Sequence, residues 1–208
     1  MIKKLIFDID NTLIMWQDKY INAMKETVSE YNLNVDYLKL HNLVETYEEY
    51  YNIYSKENMI NLFNKKLNLN LDMSFMNSWL DKLGHMVDID ENVIDTLKYL
   101  SQKYEIVVLT NFFTDVQIER LKNAGLYQYI TKVYGGEIYI KPSIESFKMA
   151  LGDTKTDEAI MIGDNIEVDI KGAMNAGIRP IFVDLKDNTD GCTFCTTIKQ
   201  IKDLKEML

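Results

Sequence analysis

The chain has 208 residues, with 32 acidic against 23 basic side chains and a formal net charge of −9 at pH 7. This excess of negative charge disfavours a nucleic-acid backbone or an anionic membrane as the main partner. No apolar run approaches the roughly 18 residues of a membrane span, and Asp8 and Asp10 interrupt the apolar start too early for an export signal. We therefore expect a cytoplasmic protein in which Cys192 and Cys195 are two reduced thiols.

A short apolar run near the start, Leu5-Ile6-Phe7, predicts a strand that is buried on both faces of a sheet. Asp8 and Asp10 follow it, and Asn11-Thr12 then forms a pair that is typical of a turn. The two acids would point to opposite faces of a continuing strand, so the chain must turn there if both serve one site. The alternative is a strand that ends in a solvated acidic turn.

Residues 16–87 keep helical spacing of their apolar side chains and predict a small bundle of four helices. The predicted helices run from about Trp16 to Asn32, Asp36 to Tyr54, Lys56 to Leu67 and Asp72 to Leu83. Because the bundle follows the first strand, it is predicted to lie over the carboxyl edge of the sheet.

Four tyrosines fall on one face of the second predicted helix, namely Tyr47, Tyr50, Tyr51 and Tyr54. They either pack inside the bundle or form an aromatic wall that can stack on a base or sugar ring. We expect Tyr47 and Tyr54 to differ, with one packing and the other facing substrate. Trp16 either closes this pocket or packs at the hinge of the bundle, and His41 and His85 are expected at the surface or at a hinge.

From Asp90 onward the predicted elements alternate between helix and strand, which implies a parallel sheet with right-handed crossovers. The predicted strands are Tyr104–Thr110, Tyr129–Tyr134, Ala159–Gly163 and Pro180–Val183. The predicted helices are Asp90–Leu100, Thr114–Ala124, one that follows Ser143 and runs to about Leu151, Glu167–Ala176 and Thr197–Leu208. The opening strand belongs to the same sheet.

Polar side chains follow the strands of this predicted sheet. They are Asp8 and Asp10, then Thr110 and Asn111, then Lys141, and finally Asp164 with Asp169 five residues on. Singly, each could be a strand end, a solvated loop residue or a helix cap. Together they are chemically complementary and meet at one edge of the sheet, which favours a shared site.

These segments resemble the four motifs of the haloacid dehalogenase-like hydrolase superfamily, in its phosphatase branch. The motifs are Asp8-x-Asp10-x-Thr12, Thr110-Asn111, Lys141-Pro142 and Gly163-Asp164 with Asp169. The helical insertion is similar to the α-helical cap of subclass I. The resemblance implies an α/β fold, with a three-layer Rossmann-like parallel-sheet core over residues 1–15 and 88–208 and an inserted cap over 16–87. Asn11 stands where glycine is commonest, but Asn tolerates the same turn.

The charges of the motif side chains fit phosphate chemistry. Asp8, Asp164 and Asp169 bring about three negative charges, and Lys141 with a Mg²⁺ ion brings about three positive ones. A phosphate dianion can therefore approach the site. Hard oxygen ligands such as Asp8 and Asp164 suit Mg²⁺, and the resemblance adds the backbone carbonyl of Asp10 as a metal ligand.

The catalytic roles follow from this arrangement. Asp8 would attack phosphorus and form an aspartyl-phosphate, while Asp10 would protonate the leaving oxygen and then activate water. Thr110, Asn111 and Lys141 would hold the phosphoryl oxygens. Asp169 would touch the metal through water, orient Lys141 or simply start a helix.

We therefore predict a Mg²⁺-dependent phosphatase, a monomer or homodimer, that hydrolyses a small phosphorylated substrate. A nucleotide, a sugar phosphate, phosphoglycolate and pyrophosphate all remain open as substrates. The alternatives are a haloacid dehalogenase, a phosphomutase and a catalytically idle binding or regulatory protein on the same fold. A dehalogenase would need neither Mg²⁺ nor an acid at position 10, so Asp10 and Asp164 argue against it.

Overall fold

The computed structural model describes residues 1–16, 18–185 and 192–208. Its strands are β1 Lys4–Phe7, β2 Glu105–Leu109, β3 Lys132–Tyr134, β4 Ala159–Gly163, β5 Arg179–Val183 and β6 Thr196–Ile198. They form one sheet in the order β3-β2-β1-β4-β5-β6, in which every neighbouring pair is parallel. The predicted strands after β1 and before β6 all appear, with ends that differ by a few residues.

The first strand lies in the middle of the sheet. Phe7 of β1 pairs with Val108 of β2 on one side and with Ile162 of β4 on the other. The strand order reverses between β1 and β4, and the crevice at the carboxyl end of such a reversal is where open α/β sheets bind ligands. The segments that follow β1, β2 and β4 therefore all begin at the same crevice.

Four α-helices lie in the described part of the segment between β1 and Asp88. They are α1 Lys19–Glu30, α2 Tyr37–Glu45, α3 Lys56–Leu67 and α4 Met73–His85. Their apolar faces form one buried cluster around Trp79, Phe75 and Phe63, and this cluster continues into Phe112 and Phe113, which follow β2. The inserted helices therefore pack directly on the segment that follows β2.

Helices cover both faces of the sheet. They are α5 Glu91–Leu100, α6 Thr114–Asn123, α7 Ile144–Leu151, α8 Lys171–Asn175 and α9 Leu204–Met207. Alternation along β1 sends Leu5 and Phe7 into one buried cluster with α5, α6 and α9, and Ile6 into another with α7 and α8. This three-layer arrangement confirms the predicted α/β Rossmann-like fold. Among the described residues, no helix combines the length and apolar character that crossing a bilayer demands.

The second helix is shorter than the sequence predicts. It ends at Glu45, and a single 3-10 turn, Tyr47–Glu49, follows it. The hydroxyl of Tyr47 donates to Ile53 O and accepts from Ser55 N, both at 3.1 Å, so the chain curls around this side chain instead of continuing as a helix. The four tyrosines therefore do not share a helix face, and that prediction is wrong.

Tyr47 supports this curled segment from inside the cluster. Its side chain is fully buried and stacks on Tyr51 and Tyr54, with ring centroids 5.1 and 4.8 Å apart. We expect Tyr47→Ala to lower the free energy of unfolding by about 3–5 kcal/mol, as loss of a large buried aromatic side chain does. Urea denaturation followed by circular dichroism measures the change.

Tyr50 provides the matched control for this substitution. It lies three residues on, its side chain is 43% exposed, and the Lys66 ammonium lies 4.5 Å from its ring centroid. Tyr50→Ala should cost at most about 1 kcal/mol, the usual size of an exposed cation–π contact. Equal urea midpoints for the two variants would contradict the buried position of Tyr47.

The C-terminal segment also differs from its prediction. Thr196–Ile198 extend the sheet as β6, paired with Ile181–Val183 of β5, and a 3-10 turn, Ile201–Asp203, precedes α9. The single predicted helix from Thr197 to Leu208 is therefore wrong over its first half. Pairing with the open edge of β5 overrides the helical spacing of this segment.

The two cysteines are not the separate thiols that the sequence analysis expects. A turn before β6 brings Cys192 and Cys195 to a Cα–Cα distance of 5.4 Å, and a disulfide joins them. That distance lies within the usual range for a bridge. The expectation of two reduced thiols is therefore corrected.

Candidate active site

The carboxyl edge brings all the predicted site residues into one cavity of about 370 Å³. Asp8 and Asp10 follow β1, Thr110 and Asn111 follow β2, Lys141 lies in the loop before α7, and Asp164 and Asp169 follow β4. Asn11 adopts a left-handed backbone conformation, with φ of 57°, which Asn accepts at low cost. This turn lets residues on both sides of it line the same cavity.

Lys141 lies at the floor of the cavity between two carboxylates. Its Nζ is 2.6 Å from Asp8 Oδ1 and 2.6 Å from Asp169 Oδ1, and its side chain is 2% exposed. Burial alone would lower the pKa of Lys141, but the attraction of Asp169 and Asp8 outweighs burial and raises this pKa above its usual value. Lys141 is therefore a fixed positive charge at the bottom of the site.

Three carboxylates cluster at the floor of the cavity and favour a hard cation beside them. Oxygens of Asp8, Asp164 and Asp169 lie within 4.8 Å of one another. Burial raises the pKa of Asp8 well above its usual value; Lys141 opposes this effect, and repulsion from Asp169 and Asp164 adds to it. Burial also raises the pKa of Asp164 to about 7, together with repulsion from Asp169. A divalent cation among these oxygens would relieve the repulsion, so the residues present fit a Mg²⁺ ion.

The position of Asp169 depends on the chain after β4. A π-helical turn, Ile166–Ile170, precedes α8 where one continuous α-helix is predicted. Asp169 Oδ2 accepts from Asn165 N at 3.1 Å, while a Cβ on Gly163 would lie only 2.5 Å from Asp169 Cγ. Glycine at 163 therefore leaves the room in which Asp169 reaches Lys141.

Asn111 holds the loop that carries Lys141. Its Oδ1 accepts from Lys141 N and its Nδ2 donates to Lys141 O, both at 2.8 Å. Nδ2 also donates to Glu48 Oε1 at 3.1 Å, which links the inserted helical segment to the sheet edge. The side chain of Asn111, predicted to bind phosphate, is thus occupied with fixing the backbone of Lys141.

Asp10 is held by three side chains that the sequence analysis does not identify. Arg120 Nη1 donates to Asp10 Oδ1 at 2.7 Å, while Gln117 Nε2 and Tyr20 Oη donate to Oδ2 at 3.1 and 3.3 Å. Arg120 has no exposed side-chain surface, whereas the Asp10 side chain is 26% exposed. Burial and the Asp10 carboxylate raise the pKa of Tyr20 well above its usual value, which keeps its hydroxyl a donor. Asp10 therefore reaches the cavity from a rigid, positively charged support.

A second cavity of about 330 Å³ adjoins the first. It has aromatic walls, and it shares Asp10, Trp16, Glu45 and Asn111 with the first cavity. His41 also lines it and is only 5% exposed, so the expectation of a surface position for His41 is wrong. His85 is exposed at the end of α4. Tyr54 lines the second cavity while Tyr47 packs behind it.

A larger cavity, of about 570 Å³, lies away from the motif side chains. Asp90, Asp184 and Lys199 are among its lining residues, and none of the motif side chains reaches it. Its size alone does not make it the active site, because convergent charged groups are a stronger indicator than volume.

A family model for haloacid dehalogenase-like hydrolases matches residues 5–183. Among curated proteins, the chain is 29% identical over 127 residues to ribulose-1,5-bisphosphate 5-phosphatase of Halopiger xanaduensis, covering 59% of this chain and 52% of that protein. It is 24% identical over 230 residues to glyceraldehyde 3-phosphate phosphatase of Methanothermobacter thermautotrophicus, covering 100% of both. The match thus spans about half the length of the first of these relatives.

Solved structures share the fold over nearly the whole chain. The HAD-hydrolase YfnB of Bacillus subtilis, bound to magnesium, superposes with a TM-score of 0.78 at 21% identity, covering 100% of this chain and 98% of that one. A 2-haloacid dehalogenase of Pseudomonas syringae pv. Tomato superposes with a TM-score of 0.80 at 22% identity, covering 99% and 97%. At such identities the likeness extends to the fold alone.

Proposed function

The chain belongs to the haloacid dehalogenase-like hydrolase family, and we propose that it is a Mg²⁺-dependent phosphatase acting on a small phosphorylated metabolite. In this proposal residues 1–15 and 88–208 form the core, and 16–87 form a helical cap over the carboxyl edge. Phosphatases among its relatives support the reaction class. The observation that carries the proposal is Asp10, an acid held by Arg120 where the two cavities meet.

Asp8, Asp164 and the backbone carbonyl of Asp10 would hold the metal. When bound, Mg²⁺ would supply positive charge that neutralises a phosphoryl oxygen and the acidic cluster. Asp169 would act on Lys141, whose Nζ it contacts at 2.6 Å, and not as a direct metal ligand. Lys141 and the Thr110 hydroxyl would hold the remaining phosphoryl oxygens, and Gln117 Nε2 fixes Thr110 Oγ1 by donating to it at 3.0 Å.

The first chemical step belongs to Asp8 and Asp10. A carboxylate oxygen of Asp8 forms a bond to phosphorus while the bond from phosphorus to the ester oxygen breaks. Asp10 gives its proton to that leaving oxygen, so the alcohol departs neutral. The product of this step is an aspartyl-phosphate on Asp8.

The second step regenerates the enzyme. Asp10, now a carboxylate, takes a proton from a water molecule as that water attacks phosphorus. The bond from Asp8 to phosphorus breaks, and inorganic phosphate leaves. Arg120 and Gln117 keep the Asp10 carboxylate in one place through both steps, because each donates to a different oxygen of it.

A panel of small phosphate esters, assayed with and without Mg²⁺, tests the proposal. We expect release of inorganic phosphate from p-nitrophenyl phosphate and from some alkyl esters, loss of activity in excess chelator, and recovery on adding Mg²⁺. Ca²⁺ should inhibit, because it takes more ligands at longer distances than Mg²⁺.

Four results would redirect the proposal. Undiminished activity in excess chelator would mean that the reaction does not need a metal ion. Halide release from 2-haloacids without metal would favour the dehalogenase, and an isomerised sugar phosphate with no free phosphate would favour a phosphomutase. If no compound is turned over, the remaining interpretation is a binding or regulatory protein on the same fold.

A further inference from the structure

We propose that the second cavity selects phosphate monoesters whose leaving group carries a protonated amine. This inference rests on the proposed phosphatase function and deepens it, because it concerns the part of the substrate beyond the phosphate. It is carried by the position of the cavity, its aromatic walls and the acidic side chains of the helical insertion beside it.

The position of the cavity identifies it as the leaving-group pocket. Asp10, the acid that protonates the leaving oxygen, lines both cavities. The phosphate must lie in the first cavity, beside Asp8 and Lys141, so the group attached to the leaving oxygen extends past Asp10. The second cavity is the space that receives it, and its volume of about 330 Å³ suits a small metabolite.

Aromatic rings form the walls of this pocket. Tyr20 and Phe112 lie with ring centroids 5.2 Å apart, Tyr54 and Phe112 5.7 Å apart, and Trp16 and Tyr20 5.6 Å apart. Glu48 Oε1 accepts from Tyr54 Oη at 3.0 Å, which fixes that ring. Trp16, Tyr20, Tyr54 and Phe112 all line the cavity, and an aromatic ring attracts an ammonium group that approaches its face.

The charges of the two cavities favour the same ligand. Six acids line them, namely Asp8, Asp10, Glu45, Glu48, Asp164 and Asp169, and Lys141 is the one lysine or arginine among their described lining residues. With Asp10 protonated, as the first chemical step requires, five of these acids carry charge. Lys141, the neighbouring Arg120 and a divalent metal would offset four of those charges, so one negative charge remains before the phosphate dianion enters.

The acids left over in this count are Glu45 and Glu48 of the helical insertion; Glu45 lines both cavities, and Glu48 lines the first. Glu45, at the end of α2, and Glu48, in the turn after it, both reach the first cavity. A carboxylate or a second phosphate on the leaving group would be repelled there, whereas an ammonium would be attracted. Phosphoglycolate and pyrophosphate are therefore poorer candidates than an amino ester.

His41 also lines the second cavity. It is 5% exposed, and its Nε2 lies 3.3 Å from Glu45 Oε1. The imidazole therefore lies beside the carboxylate that both cavities share.

Three esters of similar size and different charge test the inference. They are 2-aminoethyl phosphate, 2-hydroxyethyl phosphate and carboxymethyl phosphate, which are positive, neutral and negative beyond the phosphate. With the Mg²⁺-loaded full chain, we expect kcat/KM to fall in that order, by about tenfold from the first to the last. Raising the ionic strength should narrow the difference.

Substitutions locate the cause of the preference. In E45Q/E48Q the ratio of kcat/KM between the amine and the carboxylate ester should fall to about one, since the residual charge is gone. Glu49 is the matched control, because it is exposed and adjacent to Glu48 but lines neither cavity. E49Q should keep the wild-type ratio.

The inference and the proposed function fail in different ways. If p-nitrophenyl phosphate is hydrolysed but the three esters show equal or reversed kcat/KM, the amine preference is wrong and the phosphatase stands. An unchanged ratio in E45Q/E48Q likewise overturns it. If no ester is hydrolysed at all, the phosphatase itself is wrong and this inference is lost with it.

Discussion

Replacing Asp8 by Asn should lower kcat by at least ~10³-fold on every phosphate ester, because an amide is a poor nucleophile and a poorer metal ligand. The position of Asp8 after the first strand and its place in the cavity both point to it as the nucleophile. It follows the central strand, contacts Lys141 Nζ at 2.6 Å, and lies among the acidic oxygens that fit a metal. Steady-state phosphate release measures the loss.

The fold should survive this substitution. Asn has nearly the shape of Asp, and Lys141 keeps its second carboxylate partner, Asp169. The exposed Asp153 provides a matched control, since Asp153→Asn makes the same chemical change at a position outside the cavity. It should retain wild-type kcat. An Asp8→Asn variant with a tenth or more of wild-type activity would exclude the covalent route.

Rapid quenching adds a direct observation of the intermediate. Wild-type protein mixed with ³²P-labelled ester and quenched in acid should carry acid-stable, hydroxylamine-labile label, as an acyl phosphate does. Asp8→Asn should carry none. Label that persists in the variant would place the nucleophile at another residue.

The sheet and the motif side chains could be predicted from the sequence for a definite physical reason. Strands buried on both faces consist of short apolar runs, as in Ile160–Ile162, and the polar residue that ends such a run lies at the carboxyl edge. Asp8, Thr110 and Asp164 each end a run of this kind. Local sequence therefore sufficed to bring them into one predicted site.

The support of Asp10 could not be predicted in the same way. Gln117 and Arg120 lie three residues apart on α6, where a glutamine and an arginine are typical of a solvated helix face. Only the packing of α6 beneath the inserted helices buries Arg120 completely. The one sequence signal for this support is a polar pair at i and i+3 shortly after Thr110-Asn111. That pair indicates a contact with Asp10 only once the position of α6 against the sheet is known.

The prediction of a helix through the tyrosine segment, residues 47–54, was wrong for a related reason. Its spacing fits a helix, and nothing local between Glu45 and Tyr54 forbids one. Tertiary bonds decide the outcome, because Tyr54 N donates to Gly136 O at 2.8 Å and the hydroxyl of Tyr47 holds Ser55. Tyr54 and Gly136 are far apart in sequence, and helix propensity is too weak to resist such contacts.

Asp8 alone does not separate a phosphatase from a dehalogenase, since both reactions use a carboxylate nucleophile, but Asp10 does. We expect Asp10→Asn to lower kcat/KM for 2-hydroxyethyl phosphate by about 10²–10⁴-fold, the usual contribution of a positioned acid or base. The alkoxide of this ester leaves slowly without a proton. p-Nitrophenolate leaves readily without one, so kcat/KM for p-nitrophenyl phosphate should fall much less.

The comparison of two esters also removes the effect of stability. Asp10→Asn leaves the buried Arg120 guanidinium without its carboxylate, and loss of one partner of a buried pair costs about 3–5 kcal/mol. Part of the variant could therefore unfold, but the ratio of kcat/KM between two esters in one preparation does not depend on how much protein is folded. Arg120→Met should shift that ratio in the same direction by a smaller factor, because Gln117 and Tyr20 still donate to Asp10 Oδ2. Equal losses on both esters in Asp10→Asn would mean that Asp10 holds the site together without transferring a proton.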